Sequence, residues 1–126
     1  MLRTIIIDDE RSGRQVLQQM LQKYCNNVEV VATADSAEAG KEMIDTHFPD
    51  LVFLDIEMPH ENGFQLLQKF EDRNFEVVFV TAHPEYAMKA IKFRPLDYLL
   101  KPVSLAELKM TVEKAKAMFK MAKMNS

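Results

Sequence analysis

The feature that most constrains this chain is an alternation of two kinds of segment. Short apolar runs rich in β-branched residues occupy positions 4–7, 28–33, 51–54, 77–80 and 97–100, the last more mixed. Their length and composition read as strands buried on both faces. They begin 24, 23, 26 and 20 residues apart. Each interval has room for one helix and two short loops, as a crossover between parallel strands requires.

Helical periodicity fills those intervals. Val16, Leu17, Met20, Leu21 and Tyr24 form one apolar stripe. Ala39, Gly40, Met43 and Ile44 form a second, opened by the capping candidates Asp35 and Ser36. Phe64, Leu66, Leu67 and Phe70 mark a third. Tyr86, Ala87, Ala90 and Ile91 mark a fourth, which must end before Pro95. The fifth opens at Ser104 with Glu107 three residues on, a capping-box pattern. Five strands alternating with five helices predict an α/β fold. Right-handed crossovers make it a single doubly wound parallel sheet.

Size and composition bound the rest. The 126 residues suit one domain, and 48% hydrophobic content with 28% charged residues describes a globular chain. A net charge of −3 gives no basic field, so direct nucleic-acid binding by this domain is not expected. The lone Cys25 can form neither an internal disulfide nor a thiolate metal site and reads as a reduced, partly buried thiol. The start of the chain lacks a signal-peptide pattern and no apolar run reaches membrane-spanning length. A cytoplasmic location without membrane contact is the expectation. The domain is expected over residues 1–120, with 121–126 a frayed C-terminal tail or the start of a linker to an output domain.

In open α/β sheets, ligands bind beyond the carboxyl ends of the strands. Asp8, Asp9 and Glu10 come directly after the first strand; Asp55, Ile56, Glu57, Met58 and Pro59 come after the third. Thr81 and Ala82 succeed the fourth, Lys101 and Pro102 the fifth, while the second, expected at an edge, ends in Ala34. Asp8, Asp9 and Asp55 brought together repel one another and raise the pKa of at least one. A hard divalent cation relieves this. Mg²⁺ suits the set, since it takes oxygen ligands and is held by one or two carboxylates plus phosphate oxygens. A carboxylate beside Mg²⁺ and opposite a lysine suits acceptance of a phosphoryl group. With three glycines and no phosphate-cradling loop, the chain has no nucleotide site of its own, so the donor is another molecule.

These residues resemble the receiver domains of bacterial two-component response regulators, from Arg3 to about Lys120. Asp8-Asp9-Glu10 looks like the family's acidic pair, and the segment from Asp55 through Met58-Pro59 to Gly63 like its phosphoacceptor stretch. Thr81-Ala82 and Lys101-Pro102 match its two other signatures. The spacings fit: 46 from Asp9 to Asp55, 26 on to Thr81, 20 on to Lys101. The resemblance implies a flavodoxin-like receiver fold with strand order 2-1-3-4-5. It implies that Asp55 accepts the phosphoryl group, that Asp8, Asp9 and Asp55 bind Mg²⁺, and that the Glu57 backbone carbonyl joins them. It implies that Lys101 pairs with the phosphoryl group before a cis bond to Pro102. Thr81 and Tyr98 become the switch pair. The implied partners are a sensor histidine kinase and a second copy of the chain. The stretch from Thr81 through Tyr86 to Val103 resembles more narrowly the receivers that precede LytTR-type DNA-binding domains, which would add transcription regulation through an output domain. The family's variable kinetic positions fall on the side chains of Glu57 and His83.

Blander readings stand beside these. Asp8 and Asp9 can be turn or capping residues, Lys101 a solvated lysine, Thr81 a strand-end residue and Tyr98 plain core. His47, His60 and His83 show no ligand spacing and read as surface or loop residues. Asn62 and Gly63 read as a backbone turn. Leu105, Leu108, Val112, Ala115, Phe119 and Ala122 are spaced as in a heptad, which raises a dimerisation or linker helix leading to an output domain; a helix packed on the sheet is the preferred reading. Two other functions compete. A Mg²⁺-dependent phosphatase using Asp55 as nucleophile would need a substrate cap that 126 residues do not hold. An inactive interaction module would need a damaged acidic site. No enzyme turnover beyond self-phosphorylation and autodephosphorylation is expected.

Overall fold

A computed structural model describes residues 1–124. The predicted strands are β1 (Leu2–Ile7), β2 (Val28–Ala34), β3 (Leu51–Leu54), β4 (Glu76–Thr81) and β5 (Asp97–Leu100). They form one sheet, every pairing parallel, in the order β2-β1-β3-β4-β5. The helices are α1 (Arg11–Tyr24), α2 (Ala37–His47), α3 (Gly63–Gln68), α4 (Ala87–Ala90) and α5 (Leu105–Met124).

Two apolar layers explain why the strands are almost continuously hydrophobic. Ile5, Ile7, Val52, Leu54, Val77 and Phe79 point to the side covered by α2, α3 and α4. Leu2, Ile6, Leu51, Phe53, Val78 and Val80 point to the side covered by α1 and α5. With both faces occupied, alternation of polar and apolar residues has no role. Truncating a fully buried ring such as Phe53 to alanine would cost about 3–5 kcal/mol.

Helix ends obey local chemistry. The Ser36 hydroxyl accepts the Ala39 N–H at 3.1 Å and starts α2. Asn62 does more than turn the chain: its side chain accepts the Gln65 N–H while the Gln65 side chain accepts the Asn62 N–H, both at 2.8 Å. That reciprocal box starts α3, and Asn62-x-x-Gln65 is its sequence signal.

The fourth helix departs from its predicted stripe. It is one α turn between two 3₁₀ turns, Pro84–Tyr86 and Ile91–Phe93. Of the stripe, Ala90 is buried and Tyr86 half-buried, while Ala87 is exposed and Ile91 is 63% exposed. So short a segment can present only one residue squarely to the sheet. Arg94 leaves it in the left-handed region, and Pro95 after it disfavours any continuation of the helix. Arg73 secures that end: its guanidinium donates to the carbonyls of Phe93 (2.6 Å), Arg94 (2.9 Å) and Phe75 (3.2 Å).

The fifth helix buries Leu108, Thr111, Val112 and Ala115 against the sheet. It continues through residues 121–124, where the sequence predicts a frayed tail. Phe119, half-buried, keeps the helix on the lower edge of the sheet beside Leu2 and Phe75, a groove that Ala122 also lines. The remaining tail residues, Asn125 and Ser126, lie outside the described residues. Among the described residues, no helix is long and apolar enough to cross a membrane.

Candidate functional site

Sheet register builds the site. Ile7, the last residue of β1, sits level with Leu54, the last residue of β3. The next residues, Asp8 and Asp55, therefore leave the sheet side by side at the point where strand order reverses. Backbone bonds fix both departures: the Asp8 N–H donates to the Ala34 carbonyl (3.0 Å) and the Asp55 N–H to the Ile7 carbonyl (2.9 Å). Thr81 pairs with Leu100 at the ends of β4 and β5, and the Lys101 N–H donates to the Thr81 carbonyl at 2.9 Å. The Lys101–Pro102 bond is cis.

Asp8, Asp9 and Asp55 each bring a carboxylate oxygen to within 4.8 Å of the others. Asp8 and Asp55 are only 5% exposed, while Asp9 faces solvent. Lys101 Nζ reaches in, 2.8 Å from Asp8 Oδ2, 3.2 Å from Asp55 Oδ2 and 3.6 Å from Glu10 Oε1. One ammonium among so many carboxylates leaves a negative excess. Burial, reinforced by the charge of Asp8, pushes the Asp55 carboxyl up to about 6 against the pull of Lys101. Burial pulls the Lys101 ammonium down, but hydrogen bonding to Asp8 and the charges of Asp55 and Asp8 outweigh it and raise its pKa. An oxygen-only ligand set with surplus negative charge and one solvent-facing member fits a hard divalent cation that keeps some of its waters.

Neighbouring residues hold the acids in place. The Glu10 N–H donates to Asp8 Oδ1 at 2.9 Å, and Arg14 Nη1 to the Asp8 carbonyl at 2.8 Å. Gly13 lies so close that a Cβ there would sit 2.8 Å from Asp8 Oδ2. At Gly63, a Cβ would sit 2.5 Å from the Asp55 carbonyl oxygen. Both positions require glycine for close approach. Sequence reading misses Glu10, Gly13 and Arg14 as supports, since their roles depend on how α1 sits over β1.

The remaining predicted residues frame the cluster. Thr81 is fully buried and its hydroxyl accepts the His83 N–H at 3.2 Å. Tyr98 is half-buried beside Phe79, and its hydroxyl donates to the His83 carbonyl. Glu57, expected to act through its backbone, also has an engaged side chain. Tyr86 Oη donates to Glu57 Oε1 at 2.6 Å, and His83 Nε2 lies 2.8 Å from Glu57 Oε2. His83 is thus half-buried and partnered rather than a simple surface residue, and Tyr86 is more than part of an apolar stripe.

The sheet order places the acidic cluster at its switch point, with a lysine from the end of β5 beside it. The chain belongs to the response regulator receiver domain family, whose model matches residues 4–113. Receiver domains of this family are signalling switches of two-component systems. The chain is 42% identical over 115 residues to an uncharacterised response regulatory protein of Vibrio cholerae, across 90% of this chain and 48% of that protein. It is 35% identical over 118 residues to the sensory transduction protein LytT of Bacillus subtilis, across 92% of this chain and 48% of LytT. The chain thus spans about half the length of these curated relatives. Among solved structures, the REC domain of AraT from Geobacillus stearothermophilus superimposes with a TM-score of 0.88 at 29% identity, covering 97% of this chain and 98% of that one. The response regulatory domain of protein mrkE from Klebsiella pneumoniae gives 0.87 at 25% identity, covering 95% and 99%.

Proposed function

We propose that this domain accepts a phosphoryl group on Asp55 from a phosphohistidine of a sensor kinase, with Mg²⁺ held by Asp8, Asp9, Asp55 and the Glu57 backbone carbonyl. The observation that carries this reading is the convergence of three carboxylates within 4.8 Å beside the Lys101 ammonium. In the transfer, an Asp55 carboxylate oxygen forms a bond to phosphorus as the phosphorus–nitrogen bond of the donor breaks. The electron pair leaves with the imidazole nitrogen. Bound Mg²⁺ supplies positive charge for the phosphoryl oxygens. Lys101 would supply a second positive charge, its Nζ already held 2.8 Å from Asp8 Oδ2 and 3.2 Å from Asp55 Oδ2.

Once phosphorylated, Asp55 presents oxygens that attract the Thr81 hydroxyl, drawing it from the His83 N–H it now accepts. Tyr98, bonded to the His83 carbonyl, responds with that loop. The α4–β5–α5 surface changes as a result, with Thr81 and Tyr98 as its switch pair. That surface is read by a partner or by a second copy of the chain. The likeness to the sensory transduction protein LytT supports a LytTR-type DNA-binding domain and transcription regulation in a longer protein, and a cytoplasmic location belongs to the same reading. Incubation with acetyl phosphate and Mg²⁺ should add one phosphoryl group by intact mass, with Asp55→Asn unmodified. Equal modification of wild type and Asp55→Asn would overturn the assignment.

A further inference from the structure

Glu57 carries a carboxylate two residues after Asp55, and both of its oxygens are occupied. Tyr86 Oη donates to Oε1 at 2.6 Å, and His83 Nε2 stands 2.8 Å from Oε2. Both partners are themselves held. The Tyr86 ring meets Phe64 edge-on with centroids 6.2 Å apart. The His83 backbone is fixed by Thr81 and Tyr98. Glu57, Tyr86 and the solvent-facing Asp9 line the same open cleft.

A fourth carboxylate in that cleft has chemical consequences. Mg²⁺ demands near-octahedral geometry and retains waters, which leaves positions for phosphoryl oxygens. Ca²⁺ accepts more oxygen ligands and bidentate carboxylates. A Glu57 side chain free to swing towards Asp9 would add ligands of the kind that favours Ca²⁺ and would compete with phosphoryl oxygens.

We propose that Tyr86, assisted by His83, is a positioning residue that keeps the Glu57 carboxylate out of the cation's ligand set and so sets the preference for Mg²⁺ over Ca²⁺. This rests on the reading of Asp8, Asp9 and Asp55 as the metal site. The experiment is calorimetric titration of Mg²⁺ and of Ca²⁺ into metal-free protein. Wild type is compared with Tyr86→Phe/His83→Ala and with the same pair carrying Glu57→Gln. The pair is expected to raise the ratio of Ca²⁺ to Mg²⁺ affinity about tenfold, and Glu57→Gln is expected to abolish that rise. Tyr86→Phe alone keeps the ring against Phe64 and should move the ratio in the same direction by less. A ratio that does not move in the pair, or a rise that persists with Glu57→Gln, overturns the proposal while leaving the metal site standing. Wild type that binds no Mg²⁺ overturns the metal site and the proposal together.

Discussion

Lys101 meets Asp55 across 46 residues of sequence, its Nζ 3.2 Å from Asp55 Oδ2. The same ammonium is closer to Asp8, at 2.8 Å. Its charge is shared, and burial, reinforced by the charge of Asp8, keeps Asp55 above the usual carboxylate range in spite of the cationic neighbour. Lys101→Met removes the shared charge. The Asp55 carboxyl should then titrate above its present value of about 6. A carbon-detected NMR titration of the metal-free protein reads this directly. An Asp55 midpoint that stays put or falls would show that the pair has no electrostatic role.

The raised Asp55 pKa has a definite sign for stability. Its folded value of about 6 exceeds the ordinary 3.8. The stability linked to the neutral form is full below pH 3.8 and is lost as pH rises through about 6. Asp55→Asn should accordingly stabilise the metal-free domain by roughly 3 kcal/mol at pH 7. The increment should shrink as pH falls below 6. Urea denaturation in the presence of a chelator, run at neutral and acidic pH, measures it. A destabilised variant at pH 7 would contradict this sign.

Asp97 makes the opposite case. Burial raises its carboxyl, but the Thr111 hydroxyl, the Tyr98 N–H and Lys114 outweigh that and hold it below the ordinary 3.8. Its pairing contributes stability above pH 3.8, which is lost as pH falls through the lower folded value. Thr111 is fully buried and donates to Asp97 Oδ2 at 2.7 Å, tying α5 to β5. Thr111→Val should cost about 2 kcal/mol at neutral pH. The difference should narrow only in strong acid. Indistinguishable denaturation midpoints at pH 7 would show that this bond adds nothing to stability.

Gly13 offers a test that leaves every carboxylate in the chain. A Cβ there would meet Asp8 Oδ2 at 2.8 Å, so the carboxylate must move. Gly13→Ala is expected to weaken Mg²⁺ binding by about tenfold while the circular dichroism spectrum is retained. Unchanged affinity by calorimetry would mean that Asp8 tolerates displacement.

Much of this molecule is legible in its sequence. The five apolar runs predict the strands because burial on both faces leaves an unbroken hydrophobic signal. The site acids and Lys101 are legible because each stands directly after one of those runs, and parallel strands bring such residues to one edge. What escapes is lateral. The link from Tyr86 to Glu57 joins residues 29 apart, and no periodicity encodes which way a phenol points. The Arg73 bonds to Phe93 and Arg94 are hidden for the same reason. The fourth helix differs from its predicted stripe because Ile91 fits the spacing of an α-helix, whereas its 3₁₀ winding turns that side chain outward.

Asp8, Asp9 and Asp55 are proposed to act as one cation site. Mg²⁺ titration of metal-free protein, monitored through the carboxyl carbon signals of its aspartates, tests it most directly. Those three signals are predicted to move together and to saturate at one ion per chain. Signals that stay fixed at all three, while carboxylates elsewhere shift, would contradict it.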